Sequence, residues 1–164
     1  MAPGARAATP GTNRHMKEKP ATPQVVTVRM PSRLDMLGEL DHVAQSVCER
    51  LHFDAQSCMQ ISMSVIEAGT NAIQHGHLRD ASKPVDTTFT VFPDRLEISV
   101  HDLGRGFKLE DVNGNVTSPD HILDPRGRGI FIMRECMDSV RFEFSPSGTS
   151  CLLTKRRPPQ GRAG

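Results

Sequence analysis

The most informative stretch of this chain is IEAGTNAIQHGH, residues 66–77. Within it, Glu67, Asn71 and His75 recur every four residues and therefore share one face of a helix. The positions around them are apolar nearly all round, as in a helix that is covered on most sides. A carboxylate and an amide inside such a helix need polar partners. A Mg²⁺ ion and a polyphosphate would supply them, whereas the alternative is the exposed polar stripe of an ordinary amphipathic helix.

The segments on either side of this helix form short strands and further helices. Ser32 and Asp35 resemble a capping box at the start of a first helix, and Asp54 is a suitable N-cap for the second. Consecutive strands joined by tight turns favour antiparallel pairing over a doubly wound parallel sheet. We therefore predict an α+β fold, a two-layer sandwich of a mostly antiparallel mixed sheet with helices on one face. The predicted strands span 24–30, 87–92, 95–102, 139–144 and 149–155, and the predicted helices about 33–51, 55–76 and 128–138.

Composition divides the chain into one domain and two tails. Its 164 residues leave room for a single core. Residues 1–23 are rich in Pro, Ala, Thr and Gly and cannot bury enough apolar surface to offset their ordering entropy, so we predict a disordered N-terminal tail. Residues 24–155 are then the folded domain, and residues 156–164 form a basic C-terminal tail. The tails are basic and the domain between them is acidic, the reverse of a domain that binds nucleic acid.

Several other classes of protein are excluded by what the sequence lacks. No apolar run approaches the roughly eighteen residues that span a bilayer, and no apolar stretch of the kind found in secretory signals follows the basic N-terminus. The cysteines show neither a C-x-x-C pair nor zinc-ligand spacing, so we expect reduced, buried thiols. The expected protein is cytoplasmic, with no direct contact to nucleic acid or membrane.

A second polar segment, ISVHDLGRGF, closes the strand predicted at 95–102. Asp102 has the same parity as the apolar positions of that strand and therefore points to the side that the helices cover. A buried acceptor at a strand end suits an exocyclic amine such as that of adenine. Gly104 and Gly106, just beyond it, would let the backbone approach a ligand closely. By itself this pattern also occurs in many ordinary turns.

The third segment, DPRGRGIFIMRECMD, opens the last predicted helix. Gly127 and Gly129 lie at the start of that helix, where free backbone N–H groups and the positive end of the helix dipole suit phosphate. Arg126 and Arg128 add positive charge at the same place. The spacing is that of neither a Walker A loop nor a dinucleotide fingerprint. In the last hairpin, Thr149 shares its parity with apolar positions and is expected to face inward.

In this order, the segments resemble the nucleotide-binding boxes of the GHKL superfamily, which includes gyrase, heat-shock chaperone, mismatch-repair and histidine-kinase ATPase domains. Residues 67–75 are similar to the N box, 102–107 to the first glycine box, 127–130 to the second and 148–149 to the third. The resemblance covers Gln24 to Lys155, which is essentially the whole predicted domain. It implies a Bergerat-type ATP-binding fold.

Within that superfamily, the chain is most similar to the anti-sigma factor serine/threonine protein kinases of bacteria. Their N-A-x-x-H box and their G-x-G-[IL]-F-[IL]-[IM] helix ending in M-D are matched here, the latter by GRGIFIMRECMDSV. Members of that family bind a sigma factor and phosphorylate a serine on an anti-anti-sigma protein of the STAS (sulfate-transporter/anti-sigma-antagonist) type. The resemblance implies the same partners for this chain, together with ATP, Mg²⁺ and a homodimeric assembly.

The same resemblance implies a role for each candidate residue. Asn71 would bind Mg²⁺, and Glu67 would accept the proton of the attacking serine hydroxyl or of a water. Arg126 would stabilise charge on the γ-phosphoryl group, and Asp102 would bind the adenine amine. The remaining assignments are Thr149 beside Asp102, Arg128 as the alternative to Arg126, Gly104 and Gly106 on the adenine side, Gly127 and Gly129 against the phosphates, and residues 107–126 as a lid.

Two functions of different classes remain open from the sequence. One is a protein-serine kinase that also sequesters a sigma factor, and the other is an ATP-dependent switch that binds a partner without phosphoryl transfer. Glu67 favours the kinase, because binding alone does not need a carboxylate beside Mg²⁺. The catalytic part of a histidine kinase is disfavoured, because we expect no His-bearing dimerisation helix before the domain.

Overall fold

A computed structural model describes residues 23–108 and 125–157 of the chain. Its elements follow one another in the order β1-α1-α2-β2-β3-α3-β4-β5. The strands are β1 Gln24–Pro31, β2 Pro84–Val91, β3 Arg95–Asp102, β4 Ser139–Ser145 and β5 Gly148–Arg156. The helices are α1 Leu37–Arg50, which follows a 3-10 turn at Leu34–Met36, α2 Ala55–Asn71, which continues as a π-helical turn at Ala72–Gly76, and α3 Pro125–Cys136.

The strands form a single five-stranded sheet in the order β1-β2-β3-β5-β4. Each of the pairings is antiparallel, so the described sheet contains none of the parallel pairing that a mixed sheet would have. Antiparallel neighbours can be joined by tight turns, as between β2 and β3 and between β4 and β5. The predicted α+β fold is confirmed.

The hydrophobic core lies between one face of this sheet and the helices. In β3, Leu96, Ile98 and Val100 are at most 1% exposed, whereas the residues between them are only half-buried. This alternation is expected of a sheet with one covered face. The buried face of β3 therefore points to the helices, and that face carries the last residue of the strand, Asp102. Other members of the core are Leu40, Ile61, Val65, Phe89, Ile130, Met133 and Leu153.

Helix α2 begins as predicted and its helical chain reaches Gly76 as predicted, but its last turn is π-helical. The Asp54 side chain accepts a hydrogen bond from the Ser57 backbone N–H at 2.8 Å, which confirms the N-cap. At its other end the chain continues to Gly76 in a π-helical turn, where the His77 backbone N–H donates to the Ala72 carbonyl at 2.9 Å. Such turns widen the helix locally and are frequent at functional sites.

The capping box predicted for Ser32 and Asp35 is not formed. The 3-10 turn has Arg33 at its N-cap position without a side-chain cap hydrogen bond, and Asp35 forms an ion pair with that arginine instead. Ser32 is 1% exposed, and its hydroxyl donates to the Lys83 carbonyl at 2.9 Å. A buried hydroxyl requires a hydrogen-bond partner, and here the chain just before β2 supplies it.

Several predictions concern residues beyond the described ranges. The N-terminal tail at 1–23, apart from Pro23, the lid residues 109–124 and the C-terminal tail from 158 onward lie outside them. Within the described ranges, all four cysteines are free, as predicted; Cys48 and Cys151 are also buried, whereas Cys58 and Cys136 are only half-buried. No helix in residues 23–108 or 125–157 is long and apolar enough to cross a membrane.

Candidate nucleotide-binding site

Asp102 is the last residue of β3 and pairs with Thr149 on β5. The two residues are 7% and 5% exposed, in agreement with the strand parity. The Gly104 backbone N–H donates to Asp102 Oδ1 at 2.7 Å. Burial raises the pKa of the Asp102 carboxyl above its ordinary value, and the Gly104 hydrogen bond and nearby basic side chains oppose this rise. The strand end thus presents a buried carboxyl to the helices.

Two glycines pack directly against this carboxyl. A Cβ on Gly76, at the end of the π-helical turn, would lie 2.4 Å from Asp102 Cγ. A Cβ on Gly104 would lie 2.6 Å from both Asp102 Oδ1 and the Gly76 carbonyl oxygen. Only glycine permits such close approach. The carboxyl is therefore held between the end of the helix and the loop that follows β3.

Four buried side-chain polar atoms have no hydrogen-bond partner among the described residues. Two of them, Asn71 Nδ2 and Thr149 Oγ1, belong to residues that line the same pocket as Asp102. An unpaired buried polar group destabilises a protein by about 1–3 kcal/mol, so such groups are usually paired with water or a ligand. The pocket is therefore suited to a polar ligand. Its lining also includes His75, Gly106, Phe107, Arg126 and Phe142.

Glu67 and Asn71 meet at the junction between α2 and α3. A Cβ on Gly129 would lie 2.5 Å from Glu67 Oε2 and 3.8 Å from Asn71 Nδ2. The two side chains, one helical turn apart on α2, thus flank the first turns of α3. The positive end of the α3 dipole favours a carboxylate at this place. The structure brings these two predicted residues together as the helix periodicity implied.

The structure describes helix α3 from Pro125 on, so the helix includes residues before the predicted start near residue 128. Proline suits the first turn of a helix, because its fixed φ is helical and it has no N–H that would need a partner there. The Gly127 N–H lies in the first described turn, close to the helix end at which N–H groups can bind an anion. The Gly129 N–H lies one turn further on, within the helical hydrogen-bond ladder. Gly129 therefore permits the close packing against Glu67, and its contact to phosphate stays a prediction.

Phe107 lies at the other side of the pocket. Its ring packs edge-on against Phe142 and Phe144, with centroid distances of 5.1 Å and 5.3 Å. The Arg126 guanidinium lies over the same ring, 4.7 Å from its centroid. Gly106, at φ +78°, turns the chain so that this ring enters the cluster. The contact of Arg126 with the γ-phosphate stays a prediction.

Comparisons with known proteins place this geometry in a family. Residues 30–155 match the histidine kinase-like ATPase domain family. The chain is 30% identical over 135 residues to the serine-protein kinase RsbW of Bacillus licheniformis, a match that covers 79% of this chain and 84% of that protein. The RsbW of Bacillus subtilis is 29% identical over the same shares of the two chains. The chain belongs to the RsbW family of serine-protein kinases.

A solved structure supports the fold of this RsbW-family chain. The crystal structure of the RsbU and RsbW domains of a Mycobacterium tuberculosis protein superimposes with a TM-score of 0.60 at 15% sequence identity. The match covers 82% of this chain and 33% of that larger one. The family predicted from the four sequence boxes is confirmed, and the individual residue roles stay predictions.

Three residues around the pocket were missed by the sequence reasoning. Gly76 packs on Asp102, while His77 and Ser32 are each 1% exposed and hydrogen-bonded to one another. The helix pattern emphasised His75, because it continued the α-helical spacing, and the change to a π-helical turn was not predicted. The available signal was the glycine at the end of the polar helix face, which is where a helix terminates and another backbone can approach.

Gly148→Ala is expected to lower the free energy of unfolding by at least about 1–3 kcal/mol, the usual cost of one strained backbone conformation. Gly148 has φ +135°, and its Cβ would lie 1.8 Å from the Asp102 carbonyl oxygen. Urea denaturation would measure the change. Gly38→Ala is the matched control, because a Cβ there meets nothing within 4 Å and alanine stabilises a helix by about 0.5–1 kcal/mol over glycine. Equal unfolding midpoints for the two variants would contradict the conclusion that the backbone conformation and close packing at Gly148 require glycine.

Proposed function

We propose that this chain is an ATP-dependent protein-serine/threonine kinase that acts as an anti-sigma factor. It would bind a sigma factor and phosphorylate a serine on an anti-anti-sigma protein of the STAS type. The observation that carries the proposal is the Glu67 carboxylate beside Asn71, at the edge of a pocket that contains unpaired buried polar atoms. Membership of the RsbW family supports the reaction class.

The adenine end of ATP would lie against the end of β3. The buried Asp102 carboxylate would accept a hydrogen bond from the exocyclic amine, and the Thr149 hydroxyl, unpaired among the described residues, would hydrogen-bond in the same place. Gly104 and Gly106 carry no side chain, so the base would be able to approach the backbone closely there. The apolar lining of the pocket at this end, which includes Val100, would cover the faces of the ring.

The phosphates would lie between α2 and the N-terminus of α3. The free N–H groups of the first turn, including that of Gly127, would donate to phosphate oxygens. Asn71 would bind Mg²⁺ through its amide oxygen, while its unpaired Nδ2 would donate to a phosphate. Among the described residues, no cluster of three or more His, Cys, Asp or Glu side chains could hold a metal alone. A Mg²⁺ site of one side chain plus phosphates and waters is usual for kinases, and the ion would neutralise the developing charge.

In the transfer step, the serine hydroxyl oxygen would form a bond to the γ-phosphorus of ATP. The bond from that phosphorus to the β,γ-bridging oxygen would break, and ADP would leave. Glu67, placed beside Asn71 by the helix, would accept the hydroxyl proton. Arg126, whose guanidinium lies over the Phe107 ring in the lining of the pocket, would stabilise the transferred group.

The proposed partners determine where in the cell the chain would act and in which oligomeric state. A protein that sequesters a sigma factor would act in the cytoplasm, without direct contact to nucleic acid. We propose a homodimer as the form that binds the sigma factor. The second candidate function is a nucleotide-dependent switch without phosphoryl transfer. It would use the same pocket, but the Glu67 carboxylate would not accept a proton from a substrate hydroxyl.

The test is incubation of the full-length chain with Mg²⁺–[γ-³²P]ATP and each candidate anti-anti-sigma protein from the same genome. Label on the antagonist from the wild type, and none from Glu67→Ala, is the expected result. An antagonist whose acceptor serine is replaced by alanine is the matched control. ATP binding measured by calorimetry, without label on any antagonist, would favour the switch.

A further inference from the structure

Gly76 and His77, at the end of the π-helical turn, contact Gly104 and Leu103, which follow β3. We call this pair of contacts the clamp. Gly76 packs on Gly104, and the Leu103 backbone N–H donates to His77 Nε2 at 2.6 Å. The carboxyl of Asp102 lies between these contacts, against Gly76 on one side and bonded to the Gly104 N–H on the other. The position of the carboxyl therefore depends on how the helix end is joined to this loop.

The hydrogen bonds of His77 define a single neutral tautomer. A backbone N–H can only donate, so the bond from Leu103 requires Nε2 to be an acceptor. At the other ring nitrogen, Nδ1 lies 2.5 Å from Ser32 Oγ. The Ser32 hydroxyl gives its own hydrogen to the Lys83 carbonyl, so it must accept from Nδ1–H. Two independent arguments thus place the proton on Nδ1.

The surroundings of His77 keep it neutral. Burial lowers its pKa below the ordinary value, because the charged form would lose its hydration. A protonated imidazole would also point an Nε2–H at the Leu103 N–H, so that two donors would face each other. The charged and titratable groups that act electrostatically on the ring are Asp102 and His101 on β3 and Asp80 and Lys83 in the segment before β2, and the two carboxylates oppose the shift.

We propose that His77 is a positioning residue for nucleotide recognition, whose neutral imidazole joins Ser32 to the Leu103 backbone and so fixes Asp102 for the base. His77 is 1% exposed and lies behind the residues that line the pocket, so it acts through Leu103 and not by touching the nucleotide. The helix that ends at Gly76 also carries Asn71. The clamp therefore sets the distance between the residues proposed for the phosphates and the carboxyl proposed for the base.

This inference rests on the proposed ATP site, and it predicts an effect on one part of the nucleotide. ATP carries an exocyclic amine that would donate to Asp102, whereas inosine triphosphate carries a carbonyl oxygen at the same position. Loss of the clamp is expected to weaken ATP binding more than inosine triphosphate binding, because only ATP uses the carboxylate. A general loss of folding would reduce the binding of both nucleotides alike.

Two amide substitutions separate the two hydrogen bonds of the ring. His77→Gln places an amide oxygen near the position of Nε2 and keeps an acceptor for the Leu103 N–H. His77→Asn places its amide near the position of Nδ1, so that it keeps the contact to Ser32 and loses the one to Leu103. Ser32→Ala is a further variant, in which the Nδ1–H of the imidazole loses its acceptor and only the Leu103 N–H still favours this tautomer.

The experiment measures dissociation constants of ATP and inosine triphosphate by calorimetry, with Mg²⁺, for the full-length wild type and the three variants. His77→Asn is expected to weaken ATP binding about tenfold, the loss of one hydrogen bond, with a smaller change for inosine triphosphate. His77→Gln is expected to retain ATP binding within about threefold of the wild type. Urea midpoints verify that each variant is folded. If His77→Asn fails to fold, Ser32→Ala takes its place and is expected to lower the preference for ATP.

Equal ATP affinity in folded His77→Asn, His77→Gln and wild type would overturn the positioning role while leaving the proposed function intact. A parallel loss of both nucleotides in His77→Asn, with the ratio of their dissociation constants unchanged, would do the same. A folded wild type that does not bind ATP would remove the proposed function and this inference together.

Discussion

Glu67→Gln is expected to slow phosphoryl transfer to the anti-anti-sigma protein about 10²- to 10⁴-fold, with ATP affinity within about threefold of the wild type. The substitution keeps the size of the side chain and its packing against Gly129, and removes only its ability to accept a proton. A group that acts on the proton in the transition state lowers kcat when it is lost and leaves ground-state binding nearly unchanged. Single-turnover transfer of ³²P and calorimetric ATP binding would measure the two quantities separately.

The matched control is Glu49→Gln, which removes an exposed carboxylate on α1. It should transfer phosphate at the wild-type rate, because exposed charges far from a site act weakly across solvent. Transfer by Glu67→Gln within about threefold of the wild type would remove the carboxylate from the chemistry. Such a result would leave Asn71, Arg126 and the N-terminus of α3 as the remaining groups at the phosphate end.

The elements of the fold were predictable because local patterns and tertiary packing agree. The alternation in β3 and the N-cap at Asp54 both follow from the sequence, and both are present in the structure. The exceptions have physical causes. Ser32 was assigned to a helix cap from its spacing to Asp35, but its hydroxyl is buried and bonds to His77 and Lys83 instead. Long-range partners of this kind cannot be read from local spacing.

The candidate site was predictable to the extent that its residues lie on regular elements. Asp102 and Thr149 face the helices because strand parity places them there, and Glu67 and Asn71 meet α3 because they share a helix face. The contribution of Gly76 was not predictable, because a π-helical turn shifts the helix face just where the chain leaves α2. Periodicity thus locates the candidate ligand contacts and misses the residues that pack against them.

Arg126 illustrates a different gap between sequence and structure. Its place beside Gly127 indicates a phosphate contact, yet its guanidinium lies over Phe107, on the side of the pocket that holds the buried carboxyl. A stacked arginine of this kind contributes about 0.5–1 kcal/mol at an exposed site, which a bound polyphosphate readily exceeds. The sequence identifies the residue as a cation beside the pocket, and the structure adds its contact with the Phe107 ring.

Asp102→Asn is expected to weaken ATP binding about a hundredfold while the fold is retained. The amide oxygen can still accept the hydrogen bond from the Gly104 N–H, and its shape fits against Gly76. The other half of the carboxylate becomes an NH₂ group that faces the amine of adenine, so two donors oppose each other. Inosine triphosphate presents an oxygen to that NH₂ group. Its affinity should therefore fall less or rise, and calorimetry with both nucleotides measures the exchange of preference.

The same substitution should not destabilise the free protein at neutral pH. Burial raises the pKa of Asp102 in the folded state, so the charged carboxylate lowers stability; this loss begins above the unfolded pKa and is complete once the pH has risen through the folded pKa. Asn carries no charge, so its free energy of unfolding should equal or exceed that of the wild type at pH 7. A folded Asp102→Asn with unchanged ATP affinity would exclude the carboxylate from base recognition. His77 would then have no base-binding carboxylate to position. Weaker ATP binding together with greater stability would show that the buried charge of Asp102 serves ATP binding although it lowers the free energy of unfolding.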